Sequence, residues 1–188
     1  MVDLGVLLEE AGAVLRGHFV LTSGRHSDVY FEKFRVLERP DVVSALVGEI
    51  VQRHRESRID VVAGPTTGGI LIAFEAARQL GCRAVYVESE AGVKTLRRGA
   101  TIPAGARVLV VDDVLTTGLS VRETMQVVTQ AGGHVVAAEV LIDRATEPWN
   151  ESVPLGAAYK VQAQSWAPSV VPEWLATIPV TKPGTRPT

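Results

Sequence analysis

The stretch VVDDVLTTGLSVRET, residues 110–124, decides how this chain is read. Two valines run into adjacent carboxylates, Asp112 and Asp113. Two threonines, a glycine and a serine follow, and then a segment with helical spacing. The apolar run ARVLVV reads as a buried strand. A helix is expected from Ser120 to Ala131, stopped by Gly132 and Gly133. Ser120 with Glu123 three residues on has the form of a capping box. Strand, small polar loop and helix in that order form half of a βαβ unit.

The same rhythm recurs on both sides. IDVVA is a short apolar run, GPTTGG (64–69) a loop, and ILIAFEAARQL a helix ended by Gly81. AVYV and HVVAAEVLI are further strands. Short β-rich runs alternating with helices predict an α/β fold, an open, mainly parallel twisted sheet flanked by helices. Upstream, Leu4, Leu7, Leu8, Ala11, Val14 and Leu15 predict one amphipathic helix over residues 3–16. HFVLTSGRHSDVYFEKFRVL (18–37) predicts two short strands around a turn at Ser23, Gly24 and Arg25. Pro40 opens a second helix, with Val42, Val43, Leu46, Val47, Ile50 and Val51 on one face. Residues 88–106 break the pattern: no element is legible there, and the segment reads either as a functional lid or as a solvated hairpin. It carries Lys94, Arg97 and Arg98. From Trp166 on, the Pro- and Trp-rich tail is expected to wrap over the body rather than extend the sheet, with the final PGTRPT loose.

Composition narrows the classes. At 188 residues, 46% hydrophobic and 21% charged, the chain is long enough for one domain with a proper core. No run approaches the roughly 18 apolar residues of a membrane span. The opening MVDLGVLLEEAG lacks the basic and apolar regions of a signal peptide, so the expected location is cytoplasmic. Cys82 is the only cysteine, which excludes an internal disulfide or a cysteine-based zinc site. A net charge of −2 weighs against nucleic acid as the main partner.

In open α/β sheets ligands sit beyond the carboxyl ends of the strands, where Asp112 and Asp113 fall. Two adjacent carboxylates repel and need a partner. The vicinal hydroxyls of a sugar are one, and Mg²⁺ nearby would help neutralise both. The loop Leu115–Ser120 follows, with Gly118 free to approach a ligand closely. Exposed N–H groups at a helix N-terminus make an anion site. Sugar hydroxyls at one end and phosphate at the other describe a ribose 5-phosphate cradle. The plainer alternative is an acidic turn before a well-capped helix. A GxxxxGK phosphate loop is absent.

At these residues the sequence resembles the type I phosphoribosyltransferases. VVDDVLTTGLS is similar to that family's signature for 5-phosphoribosyl 1-diphosphate (PRPP). Within the family it most resembles bacterial orotate phosphoribosyltransferases, through GHFVLTSGRHSDVYFEKFRVL, VLIDRATE and the tail IPVTKPGTR. The resemblance implies a single domain: a small N-terminal hood region plus helix over 1–58, a PRPP-binding core over 59–145, and a C-terminal strand and tail over 146–188. It also implies a homodimer and a Mg²⁺-dependent transfer of the phosphoribosyl group from PRPP to orotate. Asp112 and Asp113 would face the ribose hydroxyls, directly or through metal-bound water. Val114, Leu115, Thr116, Thr117, Gly118, Leu119 and Ser120 would hold PRPP around its 5′-phosphate. Thr66, Thr67 and Gly68 stand in the place of the pyrophosphate loop, and Thr116 and Arg144 where the family contacts orotate. An arginine fork suits a carboxylate.

The departures concern cations. Thr22 stands where the family usually has a lysine, Thr66 and Thr67 where many members have one, and the 88–106 loop lacks a histidine. Either Lys94, Arg97 or Arg98 substitutes, with Lys94 and Arg98 as catalytic candidates, or Mg²⁺ carries more of the charge, or the protein is a weak or altered enzyme. Trp174 and its neighbours stand where a related subgroup carries a cysteine pair. His26 reads as a turn residue that is solvent-exposed or approaches substrate. His18, His54 and His134 read as structural or exposed, and Cys82 as a buried small residue. Lys33 and Arg35 read as charges flanking an edge strand. A transferase for another base, such as a purine, and a PRPP-sensing regulator remain open beside the orotate reading.

Overall fold

The computed structural model describes residues 3–21, 24–90, 92–161 and 164–181. These fall into two compact units. Residues up to Val42 and from Val161 on form one, and Val43–Lys160 the other. In chain order the helices are α1 (Leu4–Glu10), α2 (Lys33–Leu37), α3 (Pro40–His54), α4 (Gly68–Leu80), α5 (Leu119–Gln130) and α6 (Glu173–Ala176). The strands are β1 (Val14–Val20), β2 (His26–Phe31), β3 (Val61–Pro65), β4 (Arg83–Glu90), β5 (Val93–Leu96), β6 (Arg107–Leu115), β7 (His134–Asp143), β8 (Leu155–Lys160), β9 (Ser165–Trp166) and β10 (Val180–Thr181).

The larger unit is a six-stranded sheet in the order β5-β4-β3-β6-β7-β8, parallel except for β5. Its central strands bury side chains on both sides, as parallel sheets do. Alternation along β6 splits that burial. Val108 and Val110 join Val61, Ala63, Ala138 and Val140 in a core closed by Val121 and Val128 of α5. The intervening positions face the side of α4, where Gly64 of β3 approaches the Gly69 backbone and Ala73 so closely that a Cβ would not fit. Gly81 ends α4 in the left-handed region (φ 71°). Deep in the unit, Glu139 of β7 binds Arg53 (Nη2–Oε2 2.6 Å) and His54 (Nε2–Oε1 2.8 Å) from the end of α3. Burial pushes the Glu139 carboxyl up, but the hydrogen bonds from His54 and Arg53 outweigh it and hold it low.

The smaller unit is a four-stranded sheet, β10-β1-β2-β9. β1 and β2 form the expected antiparallel hairpin, and Gly24 of its turn takes φ 76°. Thr22 and Ser23 lie outside the described residues.

Several expectations change. The helix predicted over 3–16 ends at Glu10, because Gly12 takes φ 69° and Val14 and Leu15 belong to β1. The apolar period there was shared by two elements. Asp3 caps α1, accepting from the Gly5 and Val6 N–H groups. Lys33 and Arg35 lie in α2, where Arg35 pairs with Glu38 at 3.0 Å. Of the two readings of residues 88–106, the hairpin is found: Val87–Glu90 pair antiparallel with Val93–Leu96. The tail does extend a sheet, the small one, with β9 on β2 and β10 on β1. PGTRPT lies outside the described residues. His26 is half-buried in β2, where its Nδ1 meets His18 Nε2 at 2.6 Å. Cys82 is half-buried rather than buried, and burial raises its thiol pKa. No helix among the described residues is long and apolar enough to cross a membrane.

Candidate active site

β6 carries Asp112 and Asp113 inside the strand, which runs on to Leu115. Consecutive strand residues face opposite sides, so the two carboxylates do not confront each other as the sequence implied. Asp112 lines an open cleft of about 280 Å³ at the N-terminus of α5. Asp113 faces the N-terminus of α4, where a Cβ on Gly68 would overlap its carboxylate. Both are nearly buried, at 6% and 7% exposure. Each carboxylate accepts the next residue's N–H: Asp113 N–H to Asp112 Oδ1 at 2.8 Å, and Val114 N–H to Asp113 Oδ1 at 2.7 Å. The side chains are thereby oriented before any ligand arrives.

The cleft is lined by Val114–Val121 and Glu123 together with Asp112, one nearly continuous stretch, and by Lys94 from β5. The capping box does not form. Gly118 is the cap residue, at φ 76° and without a side-chain cap bond, and Ser120 is the second residue of α5. The left-handed Gly118 takes the turn that the sequence assigned to a serine. Thr117 Oγ1 accepts from the Leu119 N–H at 3.4 Å.

Of the three loop cations, only Lys94 reaches the cleft lining. Arg98 bonds Glu88 at 2.8 Å, and Arg97 lies 3.4 Å from Glu90. The Arg98 hydrogen bond holds the Glu88 carboxyl below its usual range. Thr66 and Thr67 form the turn between β3 and α4, joined by a cis peptide. Gly68 follows, and neither threonine lines the cleft. Arg144 follows β7; its N–H donates to the Leu115 carbonyl at 3.1 Å, which ties it to the base of the Thr116–Gly118 loop.

A second cavity, about 150 Å³, shares Leu115–Gly118 with the cleft and is otherwise lined by Arg122 and Ala145–Trp149. Arg122 and Trp149 escaped the sequence reading. They meet only in space, and the sole local hint was an arginine in the first turn of the helix after the loop.

Fold and site define an open α/β protein with a cleft of about 280 Å³ where β6 ends and α5 begins. The phosphoribosyl transferase domain family matches residues 36–153. An orotate phosphoribosyltransferase of Pelotomaculum thermopropionicum is 45% identical over 98% of this chain and 97% of that protein. Orotate phosphoribosyltransferase 2 of Mesorhizobium japonicum is 43% identical over 96% and 95%. Among solved structures, an orotate phosphoribosyltransferase from Aeropyrum pernix superposes with a TM-score of 0.74 at 33% identity, covering 85% of this chain and 94% of that one. The chain belongs to the phosphoribosyltransferase family.

Proposed function

We propose that this chain is an orotate phosphoribosyltransferase, which makes orotidine 5′-monophosphate and diphosphate from orotate and PRPP. The observation that carries the reading is identity of up to 45% with orotate phosphoribosyltransferases over nearly their full length. A ring nitrogen of orotate attacks the anomeric carbon, the bond to the diphosphate oxygen breaks, and positive charge develops on the ribose. Catalysis then consists of holding both partners in line and stabilising the departing diphosphate.

The parts divide as follows. N–H groups and hydroxyls of Thr116–Ser120 wrap the 5′-phosphate at the start of α5. Asp112 accepts from a ribose hydroxyl in the cleft. Asp113, turned towards Gly68, serves the side where Thr66, Thr67 and the start of α4 receive the diphosphate. Lys94 supplies cationic charge that the threonines do not, while Arg97 and Arg98 are engaged by acidic neighbours. Arg144, beside the base of the loop, pairs with the orotate carboxylate.

The carboxylate oxygens of Asp112 and Asp113 fit Mg²⁺, a hard cation that keeps several waters. Among the described residues no group of three or more His, Cys, Asp or Glu side chains could hold a metal. Asp112 and Asp113, on opposite faces of β6, would each reach such an ion only through water. When bound, it neutralises charge on the leaving diphosphate. The reading includes a cytoplasmic homodimer. Leu71 and Phe74, 47% and 59% exposed on α4, form an apolar face suited to a second copy.

The test is diphosphate release from PRPP with Mg²⁺ and orotate, beside adenine, hypoxanthine, xanthine and uracil. Turnover with orotate alone, abolished by Arg144→Ala, is expected. Turnover with another base would discard the assignment of Arg144, and PRPP binding without turnover would point to a regulator.

A further inference from the structure

We infer that Arg122, which touches no substrate in this reading, is a positioning residue: it locks the Thr117–Gly118 peptide so that the Gly118 N–H faces the phosphate cleft. The inference rests on the assignment of the 5′-phosphate to that cleft.

The guanidinium is held at three places. Nη1 donates to the Thr117 carbonyl at 2.8 Å, Nε donates to Glu151 Oε1 at 2.6 Å, and the group lies 4.9 Å from the centre of the Trp149 ring. The ring is itself anchored, since its Nε1 donates to the Val153 carbonyl at 2.8 Å. Arg122 lines the second cavity and not the cleft. The Thr117 carbonyl therefore points towards Arg122. A trans peptide is planar, with C=O and N–H on opposite sides, so the N–H of Gly118, a residue of the cleft lining, points away from Arg122. The same wall explains the glycine: a Cβ at Gly118 would stand 2.9 Å from Trp149 Cζ3 and 3.2 Å from Arg122 Nη1.

An anion at the cleft gains most from N–H groups already aimed at it, because no reorientation is then needed on binding. Without the Arg122 fork the Thr117–Gly118 peptide is free to turn over, and part of the population presents a carbonyl to the phosphate.

The experiment compares the wild type with Arg122→Met and Arg122→Lys. Three quantities are measured: KM for PRPP and for orotate separately, affinity for ribose 5-phosphate and inorganic phosphate by calorimetry, and the Gly118 amide shift on adding phosphate. Arg122→Met should raise the PRPP KM and weaken both phosphate ligands by about tenfold, the worth of one charge-assisted hydrogen bond. The orotate KM should stay within twofold, and the Gly118 shift should shrink. Arg122→Lys, which keeps one donor, should recover part of the loss. Trp149→Phe, which removes the larger ring but leaves the arginine donors, should cost less than Arg122→Met. Unchanged phosphate affinity in Arg122→Met would overturn the inference, as would equal losses for PRPP and orotate accompanied by a lower Tm. A wild type that turns over orotate and PRPP but does not perturb the Gly118 amide on phosphate binding would overturn it while sparing the proposed function. A wild type that binds neither phosphate ligand nor PRPP would overturn both.

Discussion

Gly68→Ala is the sharpest probe of the paired aspartates. The glycine is buried at the start of α4 and does not need a left-handed backbone, so alanine meets no conformational penalty there. Alanine even restricts the unfolded chain, worth about 0.4–1 kcal/mol in its favour. What it meets is Asp113: the new Cβ would overlap Oδ2 and stand 2.6 Å from Cγ and 3.1 Å from the Asp113 Cβ. The carboxylate must swing away, which breaks its 2.7 Å bond to the Val114 N–H. Losing one hydrogen bond from a charged group costs about 1.5–3 kcal/mol, or roughly a 10- to 150-fold fall in kcat/KM for PRPP. The assay is steady-state diphosphate release at saturating orotate, with Tm measured on the same samples. In an Asp113→Asn background the same alanine should cost far less, because its target is already altered. A Gly68→Ala enzyme within twofold of wild type, or a loss unchanged in the Asp113→Asn background, would refute the role given to Asp113.

Lys94→Ala should lower kcat by about 10²–10³-fold, the scale of a lost preorganised donor, whereas Arg98→Ala should change kcat less than threefold; steady-state rates decide between them. Gly156→Ala would place a Cβ 2.5 Å from both Glu139 carboxylate oxygens and should lower stability by about 1–3 kcal/mol in urea unfolding, with KM for PRPP unchanged. The Glu75 carboxyl is held at about 2, down from 4.5, chiefly by the Arg78 hydrogen bond with help from Ser44 and Gln79. Since the unfolded chain binds the proton more tightly, this contribution is complete above pH 4.5 and lost as pH falls towards 2. Glu75→Gln should therefore be less stable than wild type at pH 7 and converge on it near pH 2, as followed by thermal unfolding across that range.

What could be read in the sequence was local. β3, β6, β7, α3, α4 and α5 announced themselves because each apolar run ends at a glycine, a proline or a polar loop. The cleft was legible because its lining is nearly continuous in the chain, from Asp112 to Glu123. Errors arose where a pattern had two solutions. Leu4–Leu15 fits a helical period, yet Gly12 breaks it and gives the last residues to β1. Ser120 and Glu123 have the letters of a capping box, but Gly118, at positive φ, is the cap, two residues earlier in the chain. Pairings such as β1 with β10 and Arg122 with Trp149 join residues far apart in the chain, and no window of sequence displays them.

The continuity of the cleft lining also bears on how the protein responds to its surroundings. A ligand seated there contacts the end of one strand, one loop and the first turn of one helix, almost all in a single segment. Its binding energy is therefore spent locally, on the opening equilibrium of that segment. The amides of residues 116–123 should exchange with solvent at a rate set by substrate concentration, while the buried strands β3, β6 and β7 stay indifferent to it. In a cell whose supply of phosphorylated sugar falls, the first part of this molecule to loosen, and to become open to proteases, would be the part that reads that supply.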